Sequence, residues 1–226
     1  MKDRICYVVG AGENYGLDFQ PVTGDLVIAA DAGLCYLEKQ GIRADLVIGD
    51  FDTLKCIPEH PNTIVLSPQK NDTDTLAAVR EGIKAGYSSF HIYCGTGGRI
   101  DHTLANLQVL AYLSANNMRG YLFDNGTIIT AITNDRLCFG KIPCGYVSVF
   151  SCSTKAEGVT LCGLKYELNN AVLTNTFPVG VSNEFINRES SISVSDGTLF
   201  IVFPKEAKDR IIRRPVTLHT ASAVRL

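Results

Sequence analysis

Apolar and polar positions follow two different rhythms along this chain. In the first half, short apolar runs at Ile5 to Val9, Leu26 to Ala30, Leu46 to Ile48, Thr63 to Leu66 and Phe90 to Cys94 break off at glycine, aspartate or serine. Unbroken apolar runs of this length predict strands covered on both faces. Between them lie stretches of helical spacing: Leu34 to Leu37, closed by Gly41; Leu76, Val79 and Ile83; and Leu104, Leu107, Leu110 and Leu113. Strands alternating with helices from Ile5 to about Asn117 predict a mostly parallel sheet, which binds ligands at the carboxyl ends of its strands.

From about Tyr121 the rhythm changes. Tyr121 to Phe123, Thr127 to Ile132, Tyr146 to Phe150, Val159 to Cys162, Ile192 to Val194 and Leu199 to Phe203 follow one another with turn residues between them and no helix-length pattern. That spacing predicts an antiparallel sandwich or barrel. The fold class expected is therefore α/β: an N-terminal mostly parallel α/β domain over residues 1–130, then a C-terminal antiparallel β-sandwich domain over 131–226. The boundary falls between Asn125 and Asp135. Neither an internal repeat nor a low-complexity tract is visible.

The chemistry gathers where the apolar runs end. LVIGDFDTL, from Leu46 to Leu54, reads as a buried strand delivering Asp50 and Asp52 to a sheet edge. On an extended segment, residues two apart point the same way, so the two carboxylates would stand side by side while Phe51 enters the core. Adjacent carboxylates repel unless a cation lies between them, and Mg²⁺ carrying phosphate oxygens suits such a pair. Asp31, after the second run, is a third strand-end carboxylate. A helix cap or a solvated surface charge accounts for each of these aspartates equally well. Asp72 to Thr75 are expected in the first turn of a helix, where acidic residues are normal on dipole grounds, with Lys70 beside them. Gly95-Thr96-Gly97-Gly98-Arg99-Ile100-Asp101-His102 is a glycine-rich loop entering a helix, a natural phosphate cradle. It lacks the lysine and hydroxyl of a G-x-x-x-x-G-K-[ST] loop, and Arg99 is the residue able to clamp phosphate bidentately. For His102 a structural role fits as well as a chemical one. The Gly10-Ala11-Gly12 turn after the first run is a partial dinucleotide fingerprint only.

Composition narrows the partners. With 46% hydrophobic and 19% charged residues the chain is globular, and a net charge of -2 gives no footprint for nucleic acid. Any anionic ligand must be held locally. Eight scattered cysteines without a C-x-x-C pair suit free thiols in a reducing cytoplasm. MKDRICYVVG has no apolar stretch long enough for a signal peptide or membrane span. A soluble cytoplasmic protein is expected, with no membrane partner.

ADLVIGDFDT, KNDTDT and GTGGRIDHTLANL, in this order, resemble the thiamine pyrophosphokinase family, and the resemblance continues through GLKYEL (Gly163 to Leu168) and VGVSNEF (Val179 to Phe185). It implies transfer of the pyrophosphoryl group of ATP to thiamine, giving thiamine diphosphate and AMP, by a homodimer with active sites at the subunit interface. It implies Mg²⁺ as cofactor, held by Asp31, Asp50, Asp52 and Asp74; a catalytic set of Asp50, Asp52, Asp74 and Arg99; nucleotide-side residues Lys70, Asp72, Thr75, Thr96, Arg99, Asp101 and His102; and a thiamine pocket at Tyr166, Ser182 and Asn183. Tyr stands at 166 where the family often has Trp, and Ala32 stands where a second glycine is frequent. Two other readings remain at this point: a non-catalytic nucleotide or thiamine sensor, and a haloacid-dehalogenase-like phosphatase, whose D-x-D motif DFDTL resembles although that motif normally follows the first strand.

Overall fold

The structure is a computed structural model and describes residues 4–52, 55–67 and 72–212. Its first half contains six strands, β1 (Cys6–Val9), β2 (Leu26–Ala30), β3 (Leu46–Gly49), β4 (Thr63–Val65), β5 (Ser89–Tyr93) and β6 (Arg119–Phe123). Three helices accompany them: α1 (Gly33–Lys39), α2 (Asp74–Lys84) and α3 (Ile100–Ala115). The second half adds β7 (Thr127–Thr133), β8 (Arg136–Phe139), β9 (Tyr146–Ser151), β10 (Lys155–Cys162), β11 (Leu168–Thr174), β12 (Asn183–Glu184), β13 (Ser190–Ser193), β14 (Thr198–Pro204) and β15 (Ile211–Ile212). The expected α/β class with an antiparallel sheet following is what forms.

Strands β4, β3, β2, β1, β5 and β6 lie side by side in that order, all parallel. The chain builds outward from β1 to β4, then returns to place β5 on the other side of β1. That reversal makes the β1/β5 junction the switch point, the place at whose strand carboxyl ends open α/β sheets bind ligands. Strand β6 differs from expectation: it opens the second rhythm in sequence, yet it pairs in parallel with β5. The first antiparallel partner is β7, and β14, β9 and β12 follow, so one ten-stranded sheet runs through both halves. A five-stranded antiparallel sheet, β11-β10-β13-β8-β15, completes the fold.

Alternation along the parallel strands sends side chains into two cores. Cys6, Val8, Ile28, Ile48, Phe90, Ile92 and Leu122 face α2 and α3, meeting Ala78, Val79, Leu110 and Leu113. Tyr7, Val9, Val27, Ala29, Val47 and Tyr93 face the other way, against Leu34 and Leu37 of α1. This second core continues into the sandwich, where Phe139 of β8 meets Phe203 of β14 and Phe185 edge-on, at 5.3 and 5.2 Å between ring centres. Helix α3 departs from its expected apolar stripe. Leu110 and Leu113 are buried, but Leu104 is 57% and Ile100 72% exposed, because the first turns of α3 project past the sheet edge.

Glycine is compulsory at one joint. A Cβ at Gly33 would collide with the carbonyl of Val9 and come within 2.9 Å of that of Gly10, so only glycine lets α1 start against the end of β1. Gly33→Ala should therefore lower stability by about 1–3 kcal/mol, a drop in Tm of roughly 2–12 °C for a chain of this size. Gly41→Asn, where φ is +67° and nothing lies within 4 Å, should change Tm little, since asparagine tolerates that conformation. Thermal unfolding of both variants, followed by circular dichroism, checks the contrast.

Candidate active site

The parallel strands deliver four carboxylates to one sheet edge. Asp31 follows β2, Asp50 and Asp52 follow β3, and Asp124 follows β6. Asp31 takes a left-handed φ of 50°, its amide donates to the Ile48 carbonyl (2.9 Å), and it is 5% exposed. Gly49 leaves room for it: a Cβ there would lie 3.2 Å from the Asp31 backbone. The Oδ1 atom of Asp31 is buried without a hydrogen-bond partner among the described residues. A buried carboxylate oxygen left this way is costly unless a ligand completes it.

Phe51 enters the core, 2% exposed, as its spacing predicts. The extended geometry expected around it does not hold. The strand stops at Gly49 and Phe51 is left-handed (φ 59°), so Asp50 and Asp52 are set by a turn, with the Asp52 amide 3.4 Å from Asp50 Oδ1. Asp50 is half-buried and Asp52 exposed. Among the described residues no three His, Cys, Asp or Glu side chains close on one point as a metal cluster.

The glycine-rich loop lies at the switch point. Gly10 donates to the Tyr93 carbonyl (2.9 Å), Gly12 to that of Cys94 (2.7 Å) and Glu13 to that of Thr96 (2.9 Å), so the turn after β1 is laced to the loop after β5. The partial fingerprint of the sequence thus has a structural use. Arg99 precedes α3 and holds Asp101 with both arms of its guanidinium, Nε to Oδ1 at 3.2 Å and Nη2 to Oδ2 at 2.6 Å. That bond, with the Asp101 charge and then that of Asp52, pushes the Arg99 guanidinium further toward its charged form. The same bond holds the Asp101 carboxyl below the usual carboxylate range. Asp52 thus lies within electrostatic reach of Arg99, which ties the β3 end to the start of α3. The Asp101 Oδ1 also accepts from the His102 amide (3.0 Å), while the His102 side chain is exposed.

Several expected nucleotide-side residues are occupied differently. Thr96 is 5% exposed, and its hydroxyl donates to Asp124 Oδ1 at 2.6 Å, so it points inward to β6. Thr73 caps α2 by accepting from the Leu76 amide (3.2 Å), which leaves Asp72 before the helix and not in its first turn. Asp72 is paired with Arg80, which reaches back along α2. Asp74 and Thr75 begin the helix, both half-buried. Lys70 lies outside the described residues. Asp124 was missed in the sequence because Asp124-Asn125-Gly126 reads as a hairpin turn, and Asn106 because it sits within a helical stripe.

The two segments of the other predicted pocket come together. The side chain of Asn183, on β12, accepts from the Tyr166 amide at 3.0 Å and donates to the Tyr166 carbonyl at 2.6 Å, fixing that residue as a neighbouring strand would. Ser182 is left-handed (φ 59°), and its amide donates to Ser148 Oγ (3.0 Å). Tyr166 is 59% exposed, with Lys165 Nζ 5.4 Å from its ring centre and 2.5 Å from Glu184 Oε1. A cavity of about 220 Å³ opens nearby, between β9 and the loop from Thr174 to Gly180. Within one chain this region is remote from the carboxylates. Strand β12 is the far edge of the large sheet, seven strand steps from β2, roughly 34 Å along the sheet at about 4.8 Å per step.

Comparison with known proteins finds two family models along the chain. Residues 23–122 match the family model described as "Thiamin pyrophosphokinase, catalytic domain", and residues 136–199 match "Thiamin pyrophosphokinase, vitamin B1 binding domain". The thiamine pyrophosphokinase of Bacillus subtilis is 28% identical over 204 residues, covering 86% of this chain and 95% of that one. Its crystal structure superposes with a TM-score of 0.77 at 25% identity, covering 89% of this chain and 99% of that one. A thiamin pyrophosphokinase family protein from Enterococcus faecalis gives a TM-score of 0.78 at 27% identity, over 90% of this chain and 99% of that one. Matched in both of its halves, with the strand-end carboxylates and glycine-rich loop inside the first match and Tyr166, Ser182 and Asn183 inside the second, the chain belongs to the thiamin pyrophosphokinase family.

Proposed function

We propose that this protein transfers the pyrophosphoryl group of ATP to the hydroxyethyl oxygen of thiamine, giving thiamine diphosphate and AMP. The observation that carries the reading is the presence of both family domains on one chain. The geometry supports it, since acidic strand ends and a glycine-rich loop share the sheet edge where an α/β fold binds ligands. In-line attack by an alcohol on a phosphoryl centre needs phosphate charge neutralised, the nucleophile aligned and water excluded. Loop amides at the start of α3 and the Arg99 guanidinium bind and orient the triphosphate. Lys70 is assigned to the nucleotide on the family resemblance of KNDTDT alone.

The donor set fits Mg²⁺: hard carboxylate oxygens, one of them the buried unpartnered Oδ1 of Asp31. Asp31, Asp50, Asp52 and Asp74 would hold it. Bound there, it would neutralise charge on the phosphates. Residues 1–130 are assigned to ATP, and 131–226, with Tyr166, Ser182 and Asn183, to thiamine. Because the two sets lie some seven strands apart in one chain, we assign the complete site to a homodimer in which each chain's thiamine pocket faces the other's carboxylates. Eight free cysteines support a reducing cytoplasm, and among the described residues no helix is long and apolar enough to cross a membrane.

Incubation with ATP, Mg²⁺ and thiamine should yield AMP and thiamine diphosphate in equal amounts by chromatography; absence of both overturns the assignment. Asp50→Asn or Asp52→Asn should lower kcat at least about a hundredfold, the scale for one charge-stabilising group. Without Mg²⁺ the same variants should melt close to the parent, because neither side chain belongs to the buried core. Near-normal turnover at saturating Mg²⁺ would remove these aspartates from the metal set.

Tyr166→Ala should raise the thiamine KM roughly two- to tenfold, from about 0.5–1.5 kcal/mol of lost ring contact, and leave the ATP KM unchanged. Mixing it with Asp50→Asn gives a direct check of site sharing. A mixed dimer holds one site with both wild-type halves, so activity with the parental thiamine KM should appear in the mixture. No such component, once exchange of subunits is verified by mass, would mean that each chain works alone.

A further inference from the structure

The glycine-rich loop is held by two side chains that none of its assigned roles accounts for. Asn106, one and a half turns into α3, is 4% exposed, and its Nδ2 donates to the Gly95 carbonyl at 2.6 Å. Gly95 has no space for a side chain, since a Cβ would meet Asn106 Nδ2 at 3.0 Å and Leu122 Cδ1 at 2.7 Å. One residue later the buried Thr96 hydroxyl donates to Asp124 Oδ1 at 2.6 Å, across to the end of β6. From the opposite side, the Gly12 and Glu13 amides take the carbonyls of Cys94 and Thr96. Three successive carbonyls, at 94, 95 and 96, are therefore fixed.

This arrangement determines where the amides point. In a trans peptide the N–H is directed opposite to the C=O. Anchoring those carbonyls directs the N–H groups of Gly95 and Gly97 away from the first loop and that of Thr96 away from Asn106. Left-handed φ angles at Cys94 (53°), Gly97 (75°) and Gly98 (58°) bend the same stretch tightly. Such a backbone would otherwise be loose, and ordering it on binding would be charged against affinity.

Resting on the reading of this loop as the ATP phosphate cradle, we propose that Asn106 and Asp124 are positioning residues that preset it, through the Gly95 carbonyl and the Thr96 hydroxyl. Asp124 acts as a hydrogen-bond acceptor for Thr96 and not as a charge toward the metal or the nucleotide. That distinguishes it from Asp31, Asp50 and Asp52 on the same edge, and it explains why its Oδ1 is spent inward. Both bonds end on the glycine-rich loop, so the effect is expected on the nucleotide first.

The test compares Asp124→Ala, Asp124→Asn and Asn106→Ala with the parent. Binding of Mg·ATP is measured by titration calorimetry, and pyrophosphoryl transfer and Tm are measured alongside. Asp124→Ala and Asn106→Ala should weaken Mg·ATP binding and raise the ATP KM roughly tenfold or more, within the range that about 1 Å of misplacement can cause, with the thiamine KM unchanged. Asp124→Asn keeps an acceptor oxygen for Thr96 and should stay within about threefold of the parent. If the asparagine variant falls as far as the alanine one, Asp124 acts by charge and the proposal is wrong. Equal rises in both KM values would show a merely structural role and would also overturn it. Should Asp124→Ala not fold, Thr96→Val breaks the same bond from its other end and is judged by the same criteria. Calorimetry reads nucleotide binding without turnover, so absence of thiamine diphosphate formation in the parent protein would fail the functional reading alone.

Discussion

A close approach of backbone to backbone, at the ends of β1, β2 and β5, shapes the sheet edge. Helix α1 can begin only because Gly33 lies against the Val9 and Gly10 carbonyls, and the turn after β1 closes onto the loop after β5 through the Gly10, Gly12 and Glu13 amides. A Cβ at Gly12 would lie 2.5 Å from the Thr96 carbonyl. Backbone thus lies close against backbone at the switch point. Backbone walls bring many amides close to a ligand and lose little entropy on binding, which suits recognition of phosphate.

The electrostatics of that edge run against anion binding until a cation is added. Asp52 lies within electrostatic reach of Arg99, but Arg99 is already bound at both arms to Asp101. With a net charge of -2 the chain has no diffuse positive field to draw a triphosphate in. On the proposed reading, a site with these carboxylates would take up a metal together with the nucleotide. The buried Oδ1 of Asp31 is consistent with that uptake, because its desolvation is offset only when something positive or protic arrives.

The parallel half was largely legible from sequence because apolar runs covered on both faces leave little ambiguity of type. Leu26 to Ala30 was bounded as observed, and every strand-end aspartate that was singled out lies at a strand end or helix start. Errors arose where tertiary pairing overrode local pattern. Strand β6 carries no mark of being parallel, since direction is decided by α3 returning the chain beside β5. Strands β8, β11, β12 and β15 were not anticipated: β12 and β15 are two residues long, and β11 exposes Asn169, Asn170 and Val172, so neither a buried run nor a regular alternation announces it. At the site, residue types were readable and orientations were not. Thr96 belongs to the phosphate loop by position, yet its hydroxyl faces Asp124 from a strand more than twenty-five residues later, and no spacing rule connects the two. The left-handed Phe51 likewise breaks the simple alternation that would have set Asp50 and Asp52 side by side.

The single ten-stranded sheet also constrains how the two halves can cooperate. Continuous strand pairing from β4 to β12 opposes folding a chain's own Tyr166 segment back over its own carboxylates. Bending a sheet through such an angle would break strand pairs along β7, β14 and β9, whose registers run through six core residues, Ile128, Ile132, Leu199, Ile201, Phe203 and Val149. Association with a second copy needs no such rupture. The exposed apolar residues Tyr166, Phe177, Val179 and Val181 lie on the far edge, and Ile100 and Leu104 lie beside the glycine-rich loop. Both surfaces would lose water if two chains met so that each edge covered the other. The same contact would bring thiamine's hydroxyl toward the phosphates and would exclude the water that competes with it.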